Sequence, residues 1–458
     1  MEKTSSGLIH KTLRIFTVIH PDEVPTALLL TVNVFLLLTA YYIIKPVRDA
    51  LMLESWPPEV KSYLSAAIAV LLIFVVKVFS RIASSFPRQK LVTWVTLFFI
   101  SNLGLFYILY LSGVGSGAMG IIFFLWAGIF NLIVIAQFWG FANDVYTEDE
   151  GKRLFPLVAF GATFGGYAGG KITDSLVVLL GIFQLMLVSG AILGICILFT
   201  WIIHRREIRR IHVKPVKPME KEEFKPEEQE KPLEKGGAFQ LLFKNRYLLY
   251  IAFFVLLMNF INTNGVFMLD TVAQDAAAKA VETGTTGGLS KGQFLTKFYA
   301  GFYNIMNIYA MFIQLFVVSR IFKWFGVRVA IFFLPALALG GYFCISLGAF
   351  LVLVKWVKAF ENGTDYSLMN TTRHSLFLIT TREEKYKAQA VTKTFFHRSG
   401  DVLSAVMVFL GTTYLAFNVE KFAAFNVVLV VIWIFIGILI FREHKRLSEA
   451  RKFAQVAL

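Results

Sequence analysis

The chain has 458 residues, 57% of them apolar and only 16% charged, with a mean hydropathy of +0.65, where soluble domains carry roughly 25% charged residues. That composition excludes a soluble protein. The excess of 45 Lys and Arg over 30 Asp and Glu therefore has to be read by position, because in a membrane protein basic residues orient the chain rather than mark a nucleic-acid surface.

Cutting the sequence at every Asp, Glu, Lys and Arg leaves charge-free runs at 25–44, 91–143, 175–203, 247–269, 298–319, 329–354 and 422–441. Each exceeds the roughly 18 residues that span hydrocarbon as a helix. A membrane barrel would show shorter segments of alternating polarity instead. The expected fold class is all-α, a polytopic membrane protein in contact with lipid.

In chain order, six helices are predicted at about 24–53, 58–80, 90–112, 118–146, 153–173 and 180–203, and six more at 246–270, 294–319, 327–347, 351–380, 387–417 and 421–441. The Gly-rich stretch 113–120 divides the longest run into two spans. Between the halves, 204–245 carries Pro215, Pro218, Pro226 and Pro232 in a Lys/Glu-rich tract that reads as a linker. Arg205, Arg206, Arg209 and Arg210, together with the basic clusters at 81–90, 320–328, 382–387 and 442–446, all fall on one side if both termini are cytoplasmic. The first 24 residues lack a signal peptide's cleavage pattern and are too few for a plastid transit peptide. A bacterial inner membrane is the expected location.

The halves echo one another. Ser80-Arg81-Ile82, with Phe86, recurs as Ser319-Arg320-Ile321, with Phe325, and Thr147 to Glu150 recurs as Thr381 to Glu384. The predicted organisation is an N-terminal six-helix half over 1–203, a cytoplasmic linker over 204–245 and a C-terminal six-helix half with a basic tail over 246–458. Twelve spans in two pseudo-symmetric halves describe a major facilitator-like architecture.

An ionisable group at membrane depth costs at least a few kcal/mol, so each is a functional candidate. Lys45, Arg48 and Asp49 stand at i, i+3 and i+4 beside Pro46 near the end of the first span, on one helical face. Span four ends in Gln137, Trp139, Asn143 and Asp144, span ten carries Asp365, Tyr366, Asn370, Arg373 and His374, and span eleven carries Lys393, His397, Arg398 and Asp401. Span seven holds Asn259, Asn262 and Asn264. Fixed cations suit an anionic substrate, with Arg giving bidentate phosphate recognition. There is no phosphate-binding loop of the nucleotide-hydrolysing kind, and Gly161, Gly165, Gly166, Gly169 and Gly170 read as helix contacts. Cys196 and Cys344 both lie in apolar runs and read as packing residues. No catalytic residue, metal site or cofactor is expected.

These residues resemble the ATP/ADP translocase family, the nucleotide antiporters of plastids and obligate intracellular bacteria. Tyr42-Ile-Ile-Lys45-Pro-Val-Arg48-Asp49 is similar to the family's first-span signature, with Arg48 at a lysine position and Pro46 in place of an acid. Phe138-Trp139-Gly-Phe-Ala-Asn143-Asp144, followed by Lys152-Arg153, is similar to a second signature, and Tyr366-Ser367-Leu368 with Arg373 to a third. The resemblance implies two basic roles, on Arg48 and Arg373, one acidic role on Asp144, and a fourth position at Asn264, here neutral.

The expectation is an alternating-access antiporter, not an enzyme, that exchanges nucleotides or related phosphorylated anions. Lys45, Arg48, Asp49, Asp144, Asn264 and Arg373 are its expected binding residues, and Tyr42, Trp139, Asn143, Lys393 and Arg398 are further cavity candidates. Arg48 and Arg373 are expected to clamp phosphate oxygens from opposite halves, and a tyrosine or Trp139 to stack on a base. The competing reading is a proton-coupled symporter of another small organic anion.

Overall fold

The structure is a computed structural model that describes residues 19–213 and 238–456. The Pro-rich centre of the expected linker and the two chain ends lie outside the described residues. Within them the chain is helical, with no strand.

The first stretch forms α1 (Val24–Ser55), α2 (Pro58–Ser85), α3 (Arg88–Leu111), α4 (Ser116–Val145), α5 (Glu148–Leu180) and α6 (Ile182–Val213). After the short α7 (Ala238–Lys244) come α8 (Arg246–Glu282) and α9 (Lys291–Phe312), which passes through a π turn at Ile313–Val317 into α10 (Val318–Trp324). Next are α11 (Gly326–Ala330), α12 (Phe333–Leu347), α13 (Leu351–Thr364), a π turn at Asp365–Met369 and α14 (Asn370–Leu376). The chain ends with α15 (Arg382–Val391), a π turn at Thr392–Phe396, α16 (His397–Thr413) and α17 (Val419–Val456).

Among the described residues, nine helices are long and apolar enough to cross a membrane. They fall at nine of the twelve expected positions. The other three positions are helical but polar or interrupted: α5, α13 to α14, and α15 to α16. The ends of the expected linker are also helical, since α6 continues to Val213 and α7 precedes α8.

The chain divides into two compact units. The first comprises Met1–Trp56, Leu71–Glu220 and Ala280–Asn307, and the second Pro57–Val70, Lys221–Lys279 and Ile308–Leu458. Three helices, α2, α8 and α9, thus contribute residues to both.

In the first unit α1 is central, packed most extensively on α5 and also on α6 and α4. The α1–α5 contact is close because glycines face carbonyls: a Cβ on Gly161, Gly165 or Gly169 would land on the main-chain oxygens of Thr31, Phe35 and Thr39. Recurrence every fourth residue on both helices makes this a small-residue seam, as the sequence reading held. Pro46 sits inside α1 without ending it. In the second unit the core gathers on Trp433, whose ring lies 5.0 Å from that of Phe254, and on Tyr247, which donates to the Leu376 carbonyl at 2.8 Å. Large apolar side chains such as Phe74, Trp94 and Leu179 are exposed, as expected where lipid is the solvent.

The internal echo has a structural counterpart. Thr147 and Glu150 form a capping box at the start of α5, and Thr381 and Glu384 form one at the start of α15. Each threonine and glutamate reciprocally satisfy main-chain donors that a helix start leaves bare.

Candidate functional site

In the first unit the densest group of charges lies on α1. Arg48 donates to Asp49 Oδ1 from Nε at 3.1 Å and from Nη2 at 2.8 Å. Asp49 is fully buried, while the Arg48 side chain keeps 16% of its surface. The hydroxyl of Tyr303, on α9, donates to Asp49 Oδ2 at 2.6 Å, so both carboxylate oxygens are engaged. Aromatic faces lie against both cations: the Lys45 ammonium stands 4.1 Å from the Tyr303 ring centroid and 5.1 Å from that of Tyr42, and the Arg48 guanidinium stands 5.0 Å from that of Phe124. Cation–π attraction stabilises charge there without adding anions. Asn304 and Asn307, one turn apart on α9, are buried beside Gly170 and Gly166, and Asn304 Oδ1 and Asn307 Nδ2 have no hydrogen-bond partner among the described residues.

Asp144 is elsewhere in that unit. It pairs with Arg88 at 3.1 Å, with both side chains about half exposed. At 1.5 Å per residue it lies about 30 Å along α4 from Phe124, the ring that Arg48 touches. Trp139 is about 22 Å from Phe124 on the same helix, packed edge-on against Phe138 and Phe155. Asn143 is exposed near the same helix end. The structure therefore gathers Tyr42, Lys45, Arg48 and Asp49, and does not bring Trp139, Asn143 or Asp144 to them.

In the second unit Arg373 Nη2 pairs with Asp365 Oδ1 at 3.2 Å, with side-chain exposures of 20% and 16%. Asp365 opens the π turn that follows α13, and such turns cluster at functional sites because the extra residue re-aims the side chains. Arg398 is held by Asp401 at 3.3 Å, whose other oxygen accepts from Asn259 at 2.7 Å and Thr263 at 2.9 Å. Lys393 stands 3.4 Å from His374 Nε2. Asn264 is fully buried. It donates to Asn426 Oδ1 at 3.1 Å and accepts from Ser404 Oγ at 2.7 Å, which makes it a bridge among α8, α16 and α17.

Two buried ion pairs were missed by the sequence reading. Lys61 and Asp270 meet at 2.8 Å. Lys358 and Glu361 meet at 2.7 Å on α13, where Glu361 Oε2 also accepts from Tyr342 at 2.7 Å and Lys358 also donates to Asn262 Oδ1 at 2.8 Å. A signal existed: Lys358 and Glu361 are three apart within an expected span, and Asp270 closes a charge-free run. Tyr303 gave no such signal, because a tyrosine in an apolar run has many uses.

The fold is similar to that of the nucleoside transporter NupG, at 12% identity over 90% of this chain and 98% of that one, with a TM-score of 0.62. It is also similar to an auto-inhibited POT family peptide transporter, at 12% identity over 90% of this chain and 96% of that one (TM-score 0.60), and to the POT family transporter PepTSo, at 13% identity over 92% and 98% (TM-score 0.59). At such identities the likeness is one of fold. With the nine apolar helices among the described residues it defines the fold as that of a multi-pass helical membrane protein. Residues 118–337 match the model of the TLC ATP/ADP transporter family. The matched stretch includes the Phe138 to Asp144 motif and Asn264. No curated protein sequence matches the chain.

Proposed function

We propose that this transporter exchanges nucleotides or related phosphorylated anions by alternating access across a bacterial inner membrane. Its twelve spans include α5, α13 to α14 and α15 to α16, with both termini cytoplasmic. The observation that carries the substrate class is a shared device. Each unit holds an arginine that is paired with one carboxylate yet partly exposed, Arg48 with Asp49 and Arg373 with Asp365.

A carboxylate holds the guanidinium in place while no ligand is present, and a phosphate group offers the same fork a more highly charged partner. Lys45 adds positive field, and Tyr42 and Tyr303 offer aromatic faces to a base. Lys393 and Arg398 extend the basic surroundings of Arg373. Asp144, through Arg88, acts at the end of α4 as a latch and not as a ligand contact. Asn264 shapes the second unit by fixing α8 against α16 and α17. No metal is required beyond any Mg²⁺ carried with the substrate.

The test is uptake of labelled ATP into liposomes containing the purified protein, with and without ADP inside. Exchange requires the internal nucleotide. Arg48→Ala and Arg373→Ala are each expected to abolish uptake while leaving the folded protein intact, since each removes a phosphate partner. Uptake driven by a pH gradient with empty liposomes would favour the symport reading, and near-normal exchange by either variant would remove that arginine from the site.

A further inference from the structure

Glu361 lies about 15 Å along the helix from Leu351, near the middle of a hydrocarbon layer of about 30 Å. It is buried with Lys358, which has no exposed surface. The two are on one helix, three residues apart, so their attraction does not tie helices together. A buried pair of this kind is often no more stabilising than apolar residues of similar size, and its presence calls for a function. No room for a phosphorylated substrate surrounds a lysine with no exposure, whereas a proton needs none.

The neighbouring charges give that proton a role. Lys358, Glu361 and Asp365 fall at i, i+3 and i+7, a single stripe on α13 and the π turn after it. Glu361 faces Lys358, Asp365 and the Tyr342 hydroxyl, and Lys358 faces Asp270 as well, which Lys61 holds. Arg373 closes the stripe through Asp365, with Lys393 and His397 as the other titratable groups near it. With Arg373 on Asp365, the four groups Lys358, Glu361, Asp365 and Arg373 are electrically balanced. Once an anion engages Arg373, Asp365 loses its counter-ion, and Lys358 alone faces two carboxylates.

We infer that Glu361 is a proton-binding site coupled to anion binding at Arg373, so that the protein binds a proton whenever it binds the anion, on either leg of the exchange. The proton comes from hydronium in the aqueous phase, whose O–H bond breaks to leave water, and binds the carboxylate at Oε1, since both hydrogen bonds described for this group fall on Oε2. No other bond forms or breaks. Neutralising Glu361 leaves Lys358 balanced by Asp365 and still bonded to the oxygens of Asn262, at 2.8 and 3.1 Å. Linkage makes the effect reciprocal: at full coupling, acidification tightens anion binding by up to about tenfold per pH unit. The coupling rests on Arg373 being an anion contact; the proton site does not.

The test is infrared spectroscopy of the full-length protein in detergent at neutral pH, reading the C=O stretch of a protonated carboxyl group. Arg373→Gln removes the guanidinium from Asp365 and so imitates the anion-engaged state. It is expected to show a band that is absent from the wild type and from the Arg373→Gln/Glu361→Gln double variant. No band in the single variant, or a band that survives in the double variant, overturns the proton site. Calorimetry of ADP binding in two buffers of different ionisation enthalpy decides the coupling, also where Arg373→Gln fails to fold. The wild type is expected to take up close to one proton per ADP, and Glu361→Gln to bind ADP without proton uptake. ADP binding by the wild type without proton uptake overturns the inference. If ADP does not bind at all, the nucleotide reading falls, and the infrared band alone decides the proton site.

Discussion

The charged groups of the two units solve the same problem, a cation inside an apolar helix bundle, in different ways. On α1, Arg48 is paired with one carboxylate, Asp49, and the Lys45 and Arg48 cations stand against the rings of Tyr42, Tyr303 and Phe124. On α13 and α14, Lys358 and Arg373 are matched by Glu361 and Asp365, one carboxylate each. The first arrangement sets its cations against aromatic faces. The second is neutral until something displaces a partner, which makes it responsive. Aromatic faces suit the first because they attract cations without offering a base that competes for protons.

If burial separates the two sites in this way, breaking them should differ in size. Lys358→Met removes the counter-ion of Glu361, which then stays buried either as a bare carboxylate or as a protonated group, and is expected to destabilise the protein by up to about 3–5 kcal/mol. The double variant Lys358→Met/Glu361→Leu is expected to recover most of that loss. Thermal unfolding in detergent reads both, and a double variant as unstable as the single one would mean that the pair holds the fold together. Tyr303→Phe removes a charge-assisted hydrogen bond from Asp49 but leaves Arg48 in place, so a loss of about 1.5–3 kcal/mol is expected. Equal losses in the two experiments would erase the contrast between the sites.

A third pair tests the electrostatics outside the spans. Glu23, just before α1, is bonded by Arg153 at 2.8 and 3.1 Å. Burial alone would raise its pKa, but the hydrogen bonds from Arg153 and the His20 main chain, with the charge of Arg153, hold it below the ordinary 4.5. A carboxylate depressed in the folded state contributes stability that is present above its unfolded pKa and lost as the pH falls through its folded value. The wild type should therefore be more stable than Arg153→Ala at neutral pH, with the difference shrinking below about pH 4.5. A difference that is constant down to strongly acidic pH would show that Arg153 acts by packing alone.

Much of this was legible in the sequence, for reasons that can be traced to particular residues. Long charge-free runs announce helices in lipid, because no other regular element of that length satisfies its own backbone there. Lys45, Arg48 and Asp49 stood out because three charges in one apolar turn have few uses. Asp144 shows the limit. It sits in a motif that reads as one unit with the cation site, yet its depth along α4 places it about 30 Å from the ring that Arg48 touches. Asn264 likewise reads as a bare polar group, although Asn426 and Ser404, its partners, are more than a hundred residues away in sequence. Residue type signals a polar requirement, but which distant side chain meets it depends on packing. The π turns at Asp365 and Thr392 were invisible for the same reason, since a single extra residue per turn leaves no clear compositional trace.

The smallest expected effect probes where the units are alike. Thr147 and Thr381 occupy equivalent cap positions, each accepting from the main chain of the glutamate three residues on, at 3.4 and 3.3 Å, and each glutamate accepting in return at 3.0 Å. Replacing a threonine cap by alanine typically costs about 1 kcal/mol. Because the geometry is the same in both, Thr147→Ala and Thr381→Ala should lower stability by amounts that agree within a few tenths of a kcal/mol, and, lying far apart in sequence and in different units, their effects should add. The comparison is informative because the surrounding elements differ: α5 is one uninterrupted helix, whereas α15 meets a π turn after Val391. Equal losses would show that the recurring segment keeps its local energetics whatever helix follows. A much smaller loss at Thr381 would show that the start of α15 frays independently of its cap and that the resemblance between the two boxes is one of geometry without shared stability.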